Sequence, residues 1–308
     1  MTETVQIVEV GPRDGFQSVK PFIPTATKIS ILQQLYAAGV RRVEATSFVS
    51  VEALPQLSDA AEVLGAAQSL AGFDAQVLVP TARHAARAIE AQAKHLSFVL
   101  SVSEAHNQSN VRRSPAESAG EYAKLVALLP QNVKLRLNLA TAFDCPFAGR
   151  VDEAQTLALL GQLVPIAPGA EIALCDTTGR VTPDHVSALF AQARARFPQV
   201  KTWAFHAHDT YGLGTANTLA AYHAGIRVFD AAIAGLGGCP FAPGATGNVA
   251  TEDLVWMFGG MNIETGIDIS GLVEVALRVK ALPGAQIGGR VRDALVAKAR
   301  REKALAAS

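Results

Sequence analysis

Short β-rich segments alternate with longer, alanine-rich helical segments along most of this 308-residue chain. We predict strands at 5–10, 42–45, 75–79, 95–102, 133–139, 171–174, 201–208 and 228–234. We predict helices at 25–38, 51–64, 82–91, 115–130, 151–164, 183–196, 213–223 and 250–258. This repeated strand–helix alternation predicts an α/β fold of the (β/α)₈ TIM-barrel type.

The main alternative is a doubly wound sheet, which would have fewer strands and an early Gly-x-Gly-x-x-Gly turn. No such turn follows Val10. We therefore predict a barrel catalytic domain at 1–262 and a short C-terminal helical extension at 263–308 that packs on the barrel. The charged run at 300–303 is typical of a solvent-exposed helix end.

Composition excludes several classes of protein. Hydrophobic residues make up 49% of the chain, which is enough for a large core and too much for a disordered protein. The 27 basic and 27 acidic residues balance, so nothing indicates a nucleic acid or a membrane surface as partner. We expect no membrane span and no signal peptide. Three cysteines, an odd number, indicate free thiols and a cytoplasmic location.

Polar side chains follow most of the predicted strands, at the ends where barrel enzymes carry their active sites. They include Arg13, Asp14, Glu44, Ser103, Asn138, Thr141, Asp176, His206, His208, Cys239 and Asn248. Each alone has a structural explanation, such as a turn, a rim charge or, for Asn248, a helix cap. Together they predict an active site, because a barrel needs no carboxylate or imidazole at these positions for its stability.

His206 and His208 lie two residues apart on one predicted strand, so their imidazoles point to the same side. Such a pair can bind one metal ion, although histidines also serve as ordinary hydrogen-bonding residues. Oxygens from Asp14 and Asn248 would complete a mixed ligand set, which favours Mg²⁺ or Mn²⁺. Zinc is an alternative with Cys239 as a ligand, but the glycines around Cys239 favour a mobile loop.

A divalent ion that chelates a hydroxyl and a carbonyl or carboxylate lowers the pKa of the hydroxyl. The alkoxide can then expel a carbon fragment as an enolate, and Arg13 is suited to stabilise that negative charge. The thiol of Cys239 could protonate the enolate or relay protons. These residues therefore predict carbon–carbon cleavage, or condensation in the reverse direction.

Three long motifs resemble the 3-hydroxy-3-methylglutaryl-CoA lyase family, which belongs to the metal-dependent barrel lyases related to Claisen synthases. The motifs lie at 8–15 (VEVGPRDG), at 44–50 (EATSFVS) and at 234–254, where the loop contains Cys239. The likeness covers nearly the whole chain. It implies cleavage of a 3-hydroxy-3-methylglutaryl thioester to acetyl-CoA and acetoacetate. It further implies an acyl-CoA thioester as the partner molecule, a homodimer and a place in leucine degradation.

The resemblance also implies roles for individual residues. The metal ligands would be Asp14, His206, His208 and Asn248. The catalytic set would be Arg13, which stabilises the enolate of acetyl-CoA, Cys239 as the acid/base on the loop, and Asp14, Glu44, Asp176 and Glu252. The substrate-binding residues would be Ser103, Asn138, Thr141 and Gly238.

The chain departs from the family pattern where the acyl group should bind. Residues 138–141 read Asn-Leu-Ala-Thr where the family usually has Tyr-Val-Ser-Cys, and 173–176 read Ala-Leu-Cys-Asp instead of Ser-Leu-Gly-Asp. A citramalyl-CoA or a longer 3-alkyl-3-hydroxyglutaryl-CoA is therefore an alternative substrate. A Claisen-condensing synthase is a further alternative, as is a metal-binding barrel without catalysis, which the retained set of polar residues disfavours.

Overall fold

The structure is a computed structural model that describes residues 3–238 and 247–307. Ten strands lie within this part of the chain: β1 (Gln6–Glu9), β2 (Arg42–Ser47), β3 (Asp74–Val79), β4 (His95–Ser101), β5 (Lys134–Ala140), β6 (Asp144–Cys145), β7 (Gly149–Arg150), β8 (Glu171–Cys175), β9 (Trp203–His206) and β10 (Val228–Ala231). Eight of them form a closed parallel barrel in the order β1-β2-β3-β4-β5-β8-β9-β10, and β10 pairs back onto β1. The short strands β6 and β7 form a separate antiparallel hairpin.

Eleven α-helices accompany the strands in the same described part: α1 (Thr25–Ala37), α2 (Ala60–Gln68), α3 (Ala82–Glu90), α4 (Glu104–Val111), α5 (Pro115–Leu128), α6 (Glu153–Leu163), α7 (Pro183–Arg196), α8 (Gly214–His223), α9 (Thr251–Gly260), α10 (Ile269–Lys280) and α11 (Val291–Ala306). Helix α10 packs against α1 and α9, and α11 packs against α9 and α10. The predicted (β/α)₈ barrel with a C-terminal helical extension is confirmed. No helix of the described residues is both long and apolar enough to cross a bilayer.

The main hydrophobic core lies between the barrel strands and the surrounding helices. Phe205 of β9, Phe229 of β10 and Phe258 of α9 are among its fully buried side chains. Among the described residues, the barrel interior holds a small second apolar cluster, formed by Val8, Val10, Ala173, Ala204, Val228 and Ala232. Small and charged side chains therefore fill much of the barrel interior. This polar interior extends to the candidate site at the carboxyl ends of the strands.

The second predicted helix, at 51–64, is wrong in its position. A 3₁₀ turn at Pro55–Leu57 comes first, and α2 begins only at Ala60. Pro55 starts the 3₁₀ turn, and a proline has no backbone N–H to donate inside a longer helix. The interruption delays α2 but leaves the strand order unchanged.

The segment between α10 and α11 lies against the glycine-rich loop that follows β10. The N–H of Gly237 donates to the carbonyl of Gln286 at 3.2 Å, and the N–H of Gly288 donates to Ala234 at 2.8 Å. Gly235 has a φ of +57°, and a Cβ there would lie 2.9 Å from the backbone of Gly288. Only glycine fits this contact without strain. The C-terminal extension thus contacts the described start of the loop that follows β10.

Candidate active site

The turn that carries Arg13 and Asp14 follows β1 directly. Residues Gly11–Gly15 form one π-helical turn, in which the carbonyl of Val10 accepts from the N–H groups of Arg13 and Asp14 at 3.1 and 2.8 Å. A Cβ on Gly15 would lie 2.8 Å from the side chain of Leu236, so the turn packs tightly against the loop after β10. This packing fixes both side chains at the carboxyl end of the barrel.

Asp14, His206 and His208 form the cluster at the centre of the site. One ligand atom from each residue lies within 4.8 Å of the others. The imidazole centroids of His206 and His208 are 5.0 Å apart. Residues i and i+2 of an extended segment project to the same side, so both imidazoles point into the barrel mouth. The three residues, predicted as ligands from three positions in the sequence, are thus brought together.

Asn248 lies beside this cluster. A backbone bridge joins it to His208, and its Nδ2 donates to Oδ2 of Asp14 at 2.8 Å and to the carbonyl of Leu236 at 3.1 Å. Its Oδ1 is buried and has no hydrogen-bond partner among the described residues. An orphaned amide oxygen next to a carboxylate and two imidazoles suits a divalent cation. The residues present therefore fit a metal ion.

The charges of the cluster also suit metal binding. Burial favours the protonated form of Asp14, but Arg13 and the two histidines hold the pKa of its carboxyl well below the usual range. Burial, together with the charge of His206, lowers the pKa of His208 to about 4. At neutral pH, Asp14 is therefore ionised and His208 is neutral, which are the states in which each can bind a cation.

Arg13 is held between two carboxylates. Its Nε donates to Glu44 of β2, and its Nη1 donates to Oδ1 of Asp14 at 2.5 Å. The side chain is largely buried, with 12% exposed, and Glu44 is more deeply buried still. These contacts place a fixed positive charge at the edge of the cluster, where a developing negative charge could be stabilised.

The carboxylates of Asp176 and Glu252 accept hydrogen bonds from backbone N–H groups of neighbouring loops. Oδ1 of Asp176 accepts from the N–H of Gly179 at 2.8 Å, as in an Asx-type turn, and burial raises the pKa of Asp176 to about 7. Oε2 of Glu252 accepts from the N–H of Ala234 at 3.0 Å, and its other oxygen faces Arg292. Burial also raises the pKa of Glu252 to about 7. Both carboxylates thus organise the loops around the site.

Asn138, predicted to contact substrate, lies inside the barrel on β5. Its Nδ2 donates to Ser97 Oγ at 2.6 Å, and its Oδ1 accepts from Nε of Arg136 at 2.9 Å. Both the Nδ2 and the Oδ1 of its amide therefore form hydrogen bonds inside the barrel.

Thr141 and Ser103, also predicted to bind substrate, contact one another at the barrel mouth. Oγ1 of Thr141 accepts from the N–H of Ser103 at 3.1 Å, while Oγ of Ser103 caps α4 and accepts from the thiol of Cys145 at 2.9 Å. Gly238 lies against Gln286. Cys239, the predicted acid/base, lies outside the described residues.

Two further buried acids were missed by the sequence reasoning. Asp230 of β10 lies beside His206, and Glu9 of β1 accepts from the N–H groups of Gly11 and Ile233, both at 2.8 Å. Glu9 also accepts from the hydroxyl of Thr251 at 2.6 Å. An acidic residue inside an otherwise apolar strand was the available signal, because such a charge is rarely buried without a partner.

Comparisons with known proteins agree with this geometry. A family model described as HMGL-like matches residues 4–279. The chain is 39% identical to the mitochondrial hydroxymethylglutaryl-CoA lyase of Mus musculus, over 89% of this chain and 84% of that protein. It is 38% identical to the (R)-citramalyl-CoA lyase of Chloroflexus aurantiacus, over 96% of this chain and 95% of that protein.

Similar solved structures lead to the same result. An HMG-CoA lyase from Acinetobacter baumannii, solved in complex with coenzyme A and 3-methylmalate, superimposes with a TM-score of 0.88 and is 38% identical. The match covers 94% of this chain and 95% of that one. The motif resemblance is therefore confirmed, and the chain belongs to the HMGL-like family.

Proposed function

We propose that this chain is a divalent-metal-dependent carbon–carbon lyase that cleaves a 3-hydroxy-3-methylglutaryl-CoA-like thioester. The products would be acetyl-CoA and a keto acid, acetoacetate for the parent substrate. The observation that carries the proposal is the cluster of Asp14, His206 and His208 within 4.8 Å, with Arg13 hydrogen-bonded to Asp14. Family membership supports the same reaction class.

Asp14, His206 and His208 would hold the ion, and the unpaired Oδ1 of Asn248 would complete the set. When bound, Mg²⁺ or Mn²⁺ would supply Lewis-acid stabilisation of negative charge on the hydroxyl and carbonyl oxygens of the substrate. The oxygen donors favour these hard ions over zinc. The ion pair with the buried Glu44 keeps the positively charged Arg13 in place beside these ligands.

Arg13 would stabilise the enolate of the departing acetyl-CoA. Its guanidinium is fixed by Glu44 and Asp14 before the reaction, so little reorganisation is needed when the negative charge appears. Cys239 would protonate the enolate or relay the proton. That role rests on the family resemblance and on the position of Cys239 in the glycine-rich loop of the sequence.

Two observations favour citramalyl-CoA as a second candidate substrate. The relative from Chloroflexus aurantiacus, a (R)-citramalyl-CoA lyase, matches almost the full length of this chain. Asn138 stands where the family usually has tyrosine, and its amide is bonded to Ser97 and Arg136 inside the barrel. The smaller side chain would give the barrel interior a different shape from the one a tyrosine would give.

A panel of 3-hydroxyacyl-CoA thioesters tests the proposal. The metal-stripped chain is restored with Mg²⁺, Mn²⁺ or Zn²⁺, and acetyl-CoA release is measured by a coupled assay. We expect release from 3-hydroxy-3-methylglutaryl-CoA, and a higher kcat/KM for citramalyl-CoA would select the second candidate. His206→Ala should be inactive, and the exposed His223→Ala is the matched control. No release from any member of the panel with metal present would contradict the lyase.

We also propose that the chain is a homodimer, as the family resemblance suggests, and that it is cytoplasmic, as its odd number of cysteines suggests. Light scattering during size-exclusion chromatography should give about twice the mass of one chain. A monomeric mass at micromolar concentration would contradict this assembly.

A further inference from the structure

Asp230 is buried inside the barrel between a candidate metal ligand and a buried arginine. Its Oδ2 lies 3.1 Å from Nδ1 of His206 and 2.7 Å from Nη2 of Arg136. Asp230 is 4% exposed and Arg136 is fully buried. The carboxylate therefore has two directional contacts in a place where water does not compete for it.

The register of the barrel creates the first contact. Strands β9 and β10 are parallel neighbours, and Asp230 is paired directly with His206 in their ladder. Paired residues on neighbouring strands project to the same side of the sheet, here the barrel interior. The contact is thus set by two rigid strands and needs no loop to form.

Arg136, on β5, holds Asp230 from the far side of the barrel. Its Nε donates to Oδ1 of Asn138 at 2.9 Å, and its Nη1 lies 3.3 Å from Glu171. Glu171 in turn accepts two hydrogen bonds from Arg42, both at 2.8 Å. Because the guanidinium is fixed on several sides, Asp230 has little freedom to rotate away from His206.

The contact determines which nitrogen of His206 can bind a cation. A neutral imidazole carries one N–H, and a carboxylate can only accept, so Nδ1 must be the donor to Asp230. The lone pair is then on Nε2. We propose that Asp230, fixed by Arg136, is a positioning residue that sets the tautomer and ring orientation of His206 for a divalent ion.

This inference rests on the metal site of the proposed function. The competing explanation is that Asp230 only neutralises the buried charge of Arg136. Glu171 allows the two to be separated, because it also pairs with Arg136 but, within the part of the chain that the structure describes, contacts no candidate ligand. Glu171→Gln is therefore the matched control for Asp230→Asn.

Calorimetric titration of Mn²⁺ into the metal-stripped full chain provides the first test. We expect Asp230→Asn to weaken Mn²⁺ binding by about 10- to 100-fold, while Glu171→Gln binds within a few-fold of the wild type. Equal weakening in both variants, or wild-type affinity in Asp230→Asn, would overturn the inference. A wild-type chain that binds no Mn²⁺ would overturn the proposed metal site as well, so the two failures are distinguishable.

A second measurement requires no folded variant of Asp230. Nitrogen-15 spectra of the histidine side chains of the wild type, at a pH where the imidazoles are neutral, report which ring nitrogen carries the proton. We expect the N–H of His206 on Nδ1, with the signal assigned by its loss in His206→Ala. A proton on Nε2 would overturn the inference, because that tautomer blocks the nitrogen that should face the metal.

Discussion

Arg13 joins the turn after β1 to the neighbouring strand β2. Among the described residues, its Nε and Nη1 donate to Glu44 and Asp14, and no hydrogen bond uses Nη2. Since a guanidinium has five N–H donors, it can hold both carboxylates and still offer donors to a substrate oxygen. The residue thus combines a structural ion pair with the charge that the proposed reaction needs.

Replacing Arg13 should separate these two contributions. We expect Arg13→Gln to lower kcat by about 10²–10³-fold, as in other sites that lose a donor to a developing anion. It should also lower stability, because Glu44 would remain buried without its partner. Arg13→Lys keeps the charge and should fold better, but it loses the planar fork and should remain impaired.

Kinetics and urea unfolding of both Arg13 variants check this prediction. Arg41→Gln, with the same loss of charge on an exposed side chain at the other end of the barrel, is the control. Near-normal kcat in Arg13→Gln would refute the role of Arg13 in stabilising the enolate.

Glu9 should make stability depend on pH. Burial raises the pKa of Glu9 from 4.5 to about 7. Between these values the folded state holds a proton that the unfolded state has lost, so the unfolding free energy falls as pH rises through this window. Glu9→Gln removes that dependence. Relative to the variant, the wild type should lose about 2 to 3 kcal/mol between pH 5 and pH 8.

Urea unfolding of the wild type and Glu9→Gln at pH 5, 6.5 and 8 measures this difference. Glutamine keeps an acceptor for the N–H groups of Gly11 and Ile233, so the variant should fold. Glu62→Gln removes one exposed charge and serves as the control. A constant difference between wild type and Glu9→Gln at all three pH values would be inconsistent with a buried, protonated Glu9.

Sequence reasoning found the residues of the candidate cluster because their chemistry is visible without a partner. Imidazoles at 206 and 208 and a carboxylate at 14 stand at strand ends, where a barrel does not need them. Asp230 and Arg136 were missed because the role of each depends on its contact with the other. They are 94 residues apart in the chain, and only closure of the barrel brings them together.

Helix α5 shows how local signals can determine an element. Ser114 Oγ accepts from the N–H of Glu117 at 3.1 Å, and the carboxylate of Glu117 accepts from the N–H of Ser114 at 2.8 Å. Pro115 occupies the first helical position, where its missing N–H is not needed. This capping box was readable in the sequence, and the predicted helix start is confirmed.

Two substitutions in α5 should change stability in opposite directions. Ser114→Ala removes the cap and should cost about 1 kcal/mol. Gly120 lies inside the helix with open space where a Cβ would be, so Gly120→Ala should stabilise by about 0.5 to 1 kcal/mol. Urea unfolding measures both, and kcat should be unchanged in each. A stabilising Ser114→Ala, or a destabilising Gly120→Ala, would contradict this account of the helix.

Helix α4 was not predicted, and its composition explains why. Its sequence, EAHNQSNV, has almost no apolar residues and so lacks the helical period that identifies a packed helix. The helix forms nevertheless, because Ser103 caps it and Asn107 is buried, donating to Ser118 at 2.8 Å. Side-chain hydrogen bonds to a neighbouring helix replace the apolar face, and these partners could not be read from local sequence.

On the scale of the whole molecule, alternation of strands and helices was sufficient to predict the barrel. A parallel strand needs a crossover helix, and repeated crossovers of one hand curl the sheet until β10 meets β1. The sequence could not show how the interior would be filled. Barrels of this kind are usually packed with branched apolar side chains, whereas here Arg42, Arg136 and Glu171 occupy the interior.

The stability of the whole chain should respond to the metal, because an ion that binds only the folded state shifts the unfolding equilibrium. At about 100 times its Kd, Mn²⁺ should add about 2.7 kcal/mol and raise the Tm by roughly 5 °C. His208→Ala should abolish the rise, while His223→Ala, at the exposed end of α8, should retain it. Calorimetry with and without Mn²⁺ gives the comparison. An equal rise in His208→Ala would place the ion elsewhere, since His208 could then not be a ligand.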